Sequence, residues 1–558
     1  MRLKKIIILA FSIATLGGCA KKLDELLVNP NSPDPALANA DLYLTYMQQS
    51  FASFFDDASN FGGQVSRMNH MPAYTYRNAY GPESFNGQWE NGYAGVFKHA
   101  NALIPIATRE KKWVNVAMAK ILKAYTMMTL VDFFGDIPFT DANLGSDNTN
   151  PTASKGKDVY AEAIKLLDEA IADLAKPIGA YPGFQDNFFG ASNAAGVTKW
   201  RKTAKLLKLR AYNITRLVDA SAASKINALL TDGDVAADPG VDFEYKYSSK
   251  QTNPNSRHPK YNGNYSANGL AGDYMSVYFM WTLVQEKGTG SSNDPRTRYY
   301  FYRQRINYAD LTADNLACRY GNIPPPAHYT PGMPFCSLAQ GYWGRDHGDG
   351  SGTPPDGDLK TTVGIYPSGG DFDANQNSSV SLNRGGLGAG IQPIWQSAFT
   401  EFLKAECALT LGTTGDPRAL LESGVRKSLD KVIGFPATIG YSYTANGLTL
   451  VPDQARKDAY VGRVLALYDA ATDNKQKLDV IMKEWYIASW GNGYDSYNNY
   501  RRTGMPLNIQ FTLVAAPGDF TRSMLYPATY VNLNKSAQQK AGPAVQVFWD
   551  NNPPGFIK

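Results

Sequence analysis

The sequence predicts a mostly α protein, in which helix pairs form one scaffold and a loop-rich mixed excursion carries the binding surface. Two observations lead there. Toward both ends of the chain apolar residues recur at three- and four-residue steps, the spacing that lines one face of a helix. Between residues 234 and 390 that periodicity gives way to crowded Gly, Pro, Asn, Asp and Tyr. A structureless loop of such length is foreign to a compact domain, so the stretch reads as short strands, turns and loops held on a rigid frame, where binding surfaces usually sit.

The elements follow in order. Helices are expected over 39–58, 86–109 and 111–133. Trp89, Tyr93 and Phe97 stand four residues apart and read as core. In Asp158–Ile171 the residues Val159, Ala163, Leu166, Leu167, Ala170 and Ile171 share one stripe. In Trp200–Leu217 the stripe is Ala204, Leu207, Ala211 and Ile214, with Lys and Arg opposite. These two segments look tetratricopeptide-like, though their spacing is irregular. Further helices are expected over 392–411, 417–432, 454–471 and 473–490, and short connections imply antiparallel neighbours. The helical frame thus spans 39–233 and 391–503, the excursion 234–390, and residues 504–558 return to the frame as turns and short β-like pieces, all within a single domain 39–558.

The N-terminus has the three-part layout of a secretory signal. Arg2, Lys4 and Lys5 precede the apolar stretch Ile6–Leu16, and Leu16-Gly17-Gly18-Cys19 follows. The stretch is too short for a transmembrane helix of roughly 20 residues. Leu-Gly-Gly-Cys looks like a bacterial lipobox, in which residues 1–18 are removed and Cys19 is lipidated; a plain signal peptide is the alternative. Residues 19–38 read as a polar tether. Lys-Lys-Leu-Asp-Glu after the cysteine resembles the surface-export signal of Bacteroidetes lipoproteins. Later in the chain Ala117–Val131 is the longest apolar stretch, and Lys120 and Lys123 interrupt it. A membrane contact by lipid anchor alone is expected.

Residues 1–18 hold three cations and no acid, so their removal lowers the net charge from +5 to +2. No basic patch of the kind nucleic-acid binders carry stands out. Cys407 lies in a helical apolar run and reads as a buried free thiol. Cys318 and Cys336 flank a proline-rich loop with little else to hold it, and in an exported protein they are the expected disulfide. Motifs for a zinc protease, a nucleophile elbow or a P-loop are absent from the sequence, and no cofactor is expected. Asp346, Asp349, Asp356 and Asp358, in a glycine-rich loop, are a calcium candidate through oxygen ligands. A hydrogen-bonded turn cluster is the plainer account, since Asp and Gly so often serve turns.

Several stretches, in order, resemble the SusD/RagB family of outer-membrane nutrient-binding lipoproteins. They are Asp132-Phe133-Phe134-Gly135-Asp136-Ile137-Pro138-Phe139, Phe402–Glu406, Leu421–Leu429, Tyr500-Arg501-Arg502-Thr503-Gly504-Met505-Pro506, Leu525-Tyr526-Pro527 and Phe548-Trp549-Asp550. The lipobox and Asn29-Pro30-Asn31 fit as well. Most of these motifs read as structural: Gly135 ends a helix, and Arg501 and Arg502 pin a turn to helix carboxylates, with an anion clamp as the alternative. The resemblance implies a non-enzymatic protein at the cell exterior. It would capture an oligosaccharide, or a peptide, and pass it to a SusC-like TonB-dependent transporter. A surface glycan or peptide hydrolase and a purely structural surface protein are the competing readings.

The ligand surface is expected on two loops. One runs from Arg67 to Tyr80 and offers Arg67, Asn69, Tyr74, Tyr76 and Tyr80; the other surrounds Tyr342 and Trp343. Flat rings stack on sugars or peptides, while amide, guanidinium and carboxylate groups fix hydroxyls and carbonyls. At least two of the five aromatics are expected to share one solvent-facing concavity.

Overall fold

A computed structural model describes residues 39–183, 186–190, 193–235, 239–306, 323–351 and 360–558. Cys19, the tether, Cys318, Asp356 and Asp358 lie outside the described residues, and so do the expectations placed on them.

The fold is mostly α, with tetratricopeptide-like helix pairs. Helix α1 (Ala40–Val65) starts where the Asn39 side chain accepts the Asp41 N–H at 2.8 Å, one of the donors a helix start leaves unpaired. The helix expected over 86–109 is present, but Asn91–Phe97 winds as a π-helix between Asn86–Glu90 and α2 (Lys98–Arg109). Trp89 and Phe97 are buried there, as the spacing predicts. Helix α3 (Trp113–Phe134) is long and apolar enough to cross a membrane, yet 89% of its most apolar window lies inside the protein. Its interrupting Lys120 reaches Asp173 at 2.8 Å and Glu169 at 2.9 Å on α4 (Gly156–Leu174). Gly135 ends α3 at a φ of 80°, a conformation that suits glycine. Helix α5 (Ala194–Ile214) buries the predicted stripe Ala204, Leu207, Ala211 and Ile214. A further helix, α6 (Ala222–Asp232), follows. From α1 to α6 each helix packs on its neighbour in sequence.

A two-stranded antiparallel ladder closes the neck of the excursion: β1 (Phe243–Lys246) pairs with β4 (Ile391–Trp395). Residues 392–395, expected as the first turn of a helix over 392–411, are therefore strand, and the helix starts only at Ser397. Inside the excursion lie α7 (Pro259–Asn264), α8 (Val277–Val284) and the pair β2 (Phe301–Arg303) with β3 (Thr361–Val363). Tyrosine hydroxyls do much of the work that longer strands would do: Tyr265 donates to the Val363 carbonyl at 2.9 Å, Tyr302 to Ser378 at 2.8 Å and Tyr261 to Leu382 at 2.9 Å. The loop tyrosines thus pair carbonyls that burial would otherwise leave orphaned.

The frame resumes with α9 (Ser397–Leu411), α10 (Pro417–Thr438), α11 (Gln454–Ala470) and α12 (Asn474–Ala488). Then comes α13 (Gly493–Thr503), every residue of which is buried. The predicted arginine-rich turn is the end of this helix. Arg502 grips Glu406 of α9 through two hydrogen bonds of 3.0 and 2.7 Å, as the helix-carboxylate reading has it. Arg501 instead donates to the Arg522 carbonyl at 2.7 Å and to Asn498. Residues 504–558 fold back on the frame through turns and one short helix (Ala528–Leu533). Trp549 donates to Asp132 at 2.7 Å and Met524 N–H to the Phe133 carbonyl at 2.7 Å. Cys407 is a buried free thiol, and burial pushes it up to about 12.

Candidate functional site

Helix α1 and α13 meet backbone to backbone: a Cβ on Gly62 would stand 2.5 Å from the Gly493 carbonyl oxygen. Beside this crossing Ser59 donates to the Gly491 carbonyl at 2.7 Å, and Gln392 donates to the same oxygen at 2.6 Å. Together they make the floor of a cavity of about 320 Å3.

Three segments form its walls. After α1 the chain turns back, with the Met68 and Asn69 N–H groups donating to the Gly63 carbonyl at 2.8 and 2.9 Å, so that Asn69, His70 and Pro72 line the cavity. Asn69 bridges to Met275, and Ser276 bridges to Arg345. Gly344 permits the second approach, since a Cβ there would lie 2.0 Å from the Met275 carbonyl oxygen. His70 reaches the Asp349 carbonyl at 2.9 Å through Nε2. The turn after α1 and residues 345–350 therefore meet, with residues 272–276 between them, while Tyr342 and Trp343 do not line the cavity.

Charged and polar side chains stand among apolar surface on the cavity wall. Lys260 on α7 bonds Asn60 at 3.0 Å and Asp273 at 3.1 Å, and Asn264 donates to Asp273 at 3.0 Å. Burial opposes the Lys260 charge, but Asp273 and Asp56 overcome it and raise its pKa. Lys260 in turn holds Asp273 below the usual carboxylate range. Asp56 moves the other way, because burial outweighs the help from Lys260. Burial, with Arg345 adding repulsion, lowers His70 to about 4. Half-buried Tyr274 and buried Trp490 are the aromatic rings on the cavity wall, with the imidazoles of His70 and His258. Arg345 lies 4.0 Å from the Tyr274 centroid and bonds the Tyr274 hydroxyl at 3.0 Å, while the Lys360 ammonium is 3.9 Å from the same centroid. Such a wall can hold a ligand rich in hydroxyls or amides through hydrogen bonds and ring contacts. The Ser59 hydroxyl goes to Gly491, and that of Ser368 goes to the Gly364 carbonyl at 2.7 Å.

Of the residues expected to bind ligand, Asn69 lines this cavity. The five aromatics do not gather in one concavity. Tyr76, Tyr80, Tyr342 and Trp343 are 1–4% exposed, and only Tyr74 is exposed, at 42%. Arg67 is buried as well, donating to Tyr76 at 3.1 Å and to the Gln510 carbonyl at 3.0 Å. Arg67 and Tyr76 border a second cavity of about 530 Å3 near residues 511–520, and Tyr342 borders a third of about 900 Å3. The physical reason is packing: with few long strands, these loops are held by buried rings, of which Tyr76 also bonds Arg67 while the Tyr80 hydroxyl is buried without a partner. Sequence reasoning missed Lys260, Asp273 and Tyr274, which sit in polar runs with no periodic signal.

Cys336 is disulfide-bonded. Asp346 is buried, accepts the Cys336 N–H at 2.9 Å and the Gln510 amide at 2.7 Å, and is pushed by burial up to about 7. Asp349 accepts the Ser351 N–H at 3.1 Å. Among the described residues no three His, Cys, Asp or Glu side chains converge as a metal set.

The family described as "Starch-binding associating with outer membrane" matches residues 32–323, more than half of the chain. That described as "Susd and RagB outer membrane lipoprotein" matches residues 378–547. No curated protein matches the sequence. Among solved structures, a SusD/RagB family protein from Bacteroides thetaiotaomicron superposes with a TM-score of 0.65 at 19% identity, covering 92% of this chain and 100% of that one. A SusD homologue from Bacteroides fragilis gives 0.64 at 16% identity with coverage of 92% and 100%. A chitin-binding SusD homologue from Flavobacterium johnsoniae gives 0.57 at 18% identity with coverage of 92% and 99%. At these identities the structures speak for the fold, and the family match speaks for kinship: the chain belongs to the SusD/RagB family of outer-membrane lipoproteins.

Proposed function

We propose that this protein is a non-enzymatic capture protein, held at the cell exterior by a lipid on Cys19. It takes up a nutrient oligosaccharide and passes it to a SusC-like TonB-dependent transporter. The observation that carries the reading is the cavity where the Asn69–Pro72 and Arg345–Gly350 loops meet around Tyr274. It offers amide, carboxylate and cationic groups beside the rings of Tyr274 and Trp490, a mixture that suits a polyhydroxylated ligand. The family description and the chitin-binding relative favour a glycan over a peptide. Cys318 is the proposed partner of Cys336.

The test is calorimetric titration of the mature chain, without its lipid, against chito-oligosaccharides, malto-oligosaccharides and peptides. One glycan series binds, and Tyr274→Ala and Asn69→Ala each weaken it by about 1–3 kcal/mol, the range of a buried ring or a lost hydrogen bond. Release of shortened products would instead establish a hydrolase. Binding of peptides alone would replace the glycan, and binding of nothing would leave the structural reading. In cells, Cys19→Ala moves the protein from the membrane to the soluble fraction; if it stays membrane-bound, the anchor assignment is wrong.

A further inference from the structure

The third cavity, of about 900 Å3, lies between the loop Gly290–Asn293, the β2 region and the start of α11. Four arginines line it: Arg298 and Arg303 from the excursion, Arg456 and Arg463 from α11. Two of them are committed. Arg303 holds Asp373 through hydrogen bonds of 2.6 and 3.2 Å. Arg298 bonds the Asp373 carbonyl at 2.8 Å and the Asn375 side chain at 3.0 Å, with the already engaged Asp373 carboxylate 3.7 Å away.

The other two are not. Arg456 donates to the neutral Asn293 side chain at 2.7 Å, and Arg463 to the Ser292 carbonyl at 2.6 Å. Neither has an ion pair among the described residues, and the Nε of each is buried with no acceptor. Buried guanidinium donors are normally satisfied. Among the described residues the one carboxylate on the cavity wall, Asp453, is occupied as the cap of α11, where it accepts the Arg456 N–H at 2.8 Å. Burial lowers the pKa of Arg456 and neighbouring Arg298 adds to it, while Asp294, itself held by Arg296, offsets only part of the effect.

Counting the four guanidiniums against Asp373 and Asp453, this basin keeps an excess of positive charge although the mature chain is close to neutral. Guanidinium is the group that takes carboxylate, sulfate and phosphate oxygens in pairs. The volume far exceeds what one small ion fills and lies in the range of oligomer-sized ligands. We infer that this basin is an oxyanion site, in which Arg456 and Arg463 receive a ligand bearing two or more sulfate, phosphate or carboxylate groups. It is separate from the Tyr274 cavity and does not depend on the glycan reading of that cavity.

The test titrates the mature chain at about 0.15 M salt, where loose surface attraction is largely screened. The probes are inorganic sulfate, inorganic phosphate, an oligogalacturonate and a sulfated oligosaccharide, with a neutral chito-oligosaccharide as control. At least one acidic oligomer binds saturably and more tightly than the inorganic ions, and which one binds tells carboxylate from sulfate. R456Q and R463Q each weaken that binding about tenfold, while Tyr274→Ala leaves it unchanged. Both positions lie half-buried on a surface helix, so each single variant is expected to fold, and circular dichroism checks it. The proposal is overturned if no acidic oligomer binds saturably, if only the inorganic ions bind, or if both variants bind like the parent. Loss of the neutral control alone would count against the Tyr274 cavity and not against this site.

Discussion

At the scale of single residues the family motifs turn out to be partners of one another. Asp132, fully buried, accepts from Asn498 at 2.8 Å, Trp549 at 2.7 Å, Tyr160 and Tyr494, and lies 3.7 Å from Arg210. It joins α3, α4, α5, α13 and the C-terminal segment at one carboxylate. Removing one member of a buried, hydrogen-bonded charge network leaves the others uncompensated, which costs about 3–5 kcal/mol; Asp132→Ala should lose that much in urea denaturation, and a loss below 1 kcal/mol would refute the keystone role. Tyr76→Ala belongs to the same class. Its hydroxyl meets Arg67 and its ring packs 5.4 Å from that of Phe520, so it should cost stability first, by about 3–5 kcal/mol as for other buried aromatics. His70 gives a pH signature. Its folded pKa of about 4 lies below the ordinary 6.5, so between those values the unfolded chain binds more protons and stability falls as pH falls. His70→Gln keeps a donor for the Asp349 carbonyl and should flatten part of that slope in melts recorded from pH 7 to 4. An unchanged slope would place the titration elsewhere, for instance at His258, which burial lowers to about 3.

At the scale of elements the α1–α13 crossing sets the cavity floor. A methyl on Gly62 would press on the Gly493 carbonyl, backbone that cannot swing aside, so Gly62→Ala should cost about 1–3 kcal/mol or more as overpacking. It should also weaken ligand binding by displacing Ser59 and Gln64. Thermal melts and titration on the same sample check both, and an unaltered melting temperature would show that the helices can part freely. This contact also marks where the sequence stops being legible. Helices α4 and α5 announce themselves because an apolar stripe at helical spacing faces the core, and α3 because it is apolar nearly all round. Helix α13 does not: its sequence is Gly-Tyr-Asp-Ser-Tyr-Asn-Asn-Tyr-Arg-Arg-Thr, polar throughout, yet it is wholly buried. Its partners Asp132, Glu406 and Arg210 come from distant elements, and periodicity carries no record of them. The excursion was legible as a region. The side chains were not, because a tyrosine that stacks on a ligand and one that bonds a buried carbonyl have the same local sequence.

At the scale of the whole molecule the question is whether frame and excursion unfold as one. A single hydrophobic cluster runs from Ala40 to Ile557 and includes excursion residues such as Tyr261, Phe301 and Tyr366. Three ties add to it. The β1–β4 ladder joins the two ends of the excursion at its neck. The Tyr300 hydroxyl donates to the Ile487 carbonyl of α12 at 3.1 Å. Arg296, fully buried, bonds Asp294 within the excursion at 2.7 Å and Glu484 on α12 at 3.1 Å. An excursion detached from the frame would leave Glu484 and Arg296 partly unpaired and expose a continuous apolar face, so the partly unfolded state is costly on both counts. Chains of this size commonly populate intermediates, which makes the expectation a sharp one: the mature chain should show one transition, with tryptophan fluorescence and far-ultraviolet circular dichroism coinciding in urea. Arg296→Met should lower the midpoint for both probes together, because it weakens the tie between two parts of one unit. If the fluorescence transition moves while the helical signal stays, the excursion is an independent unit and the single domain proposed for residues 39–558 must be divided at the β1–β4 neck.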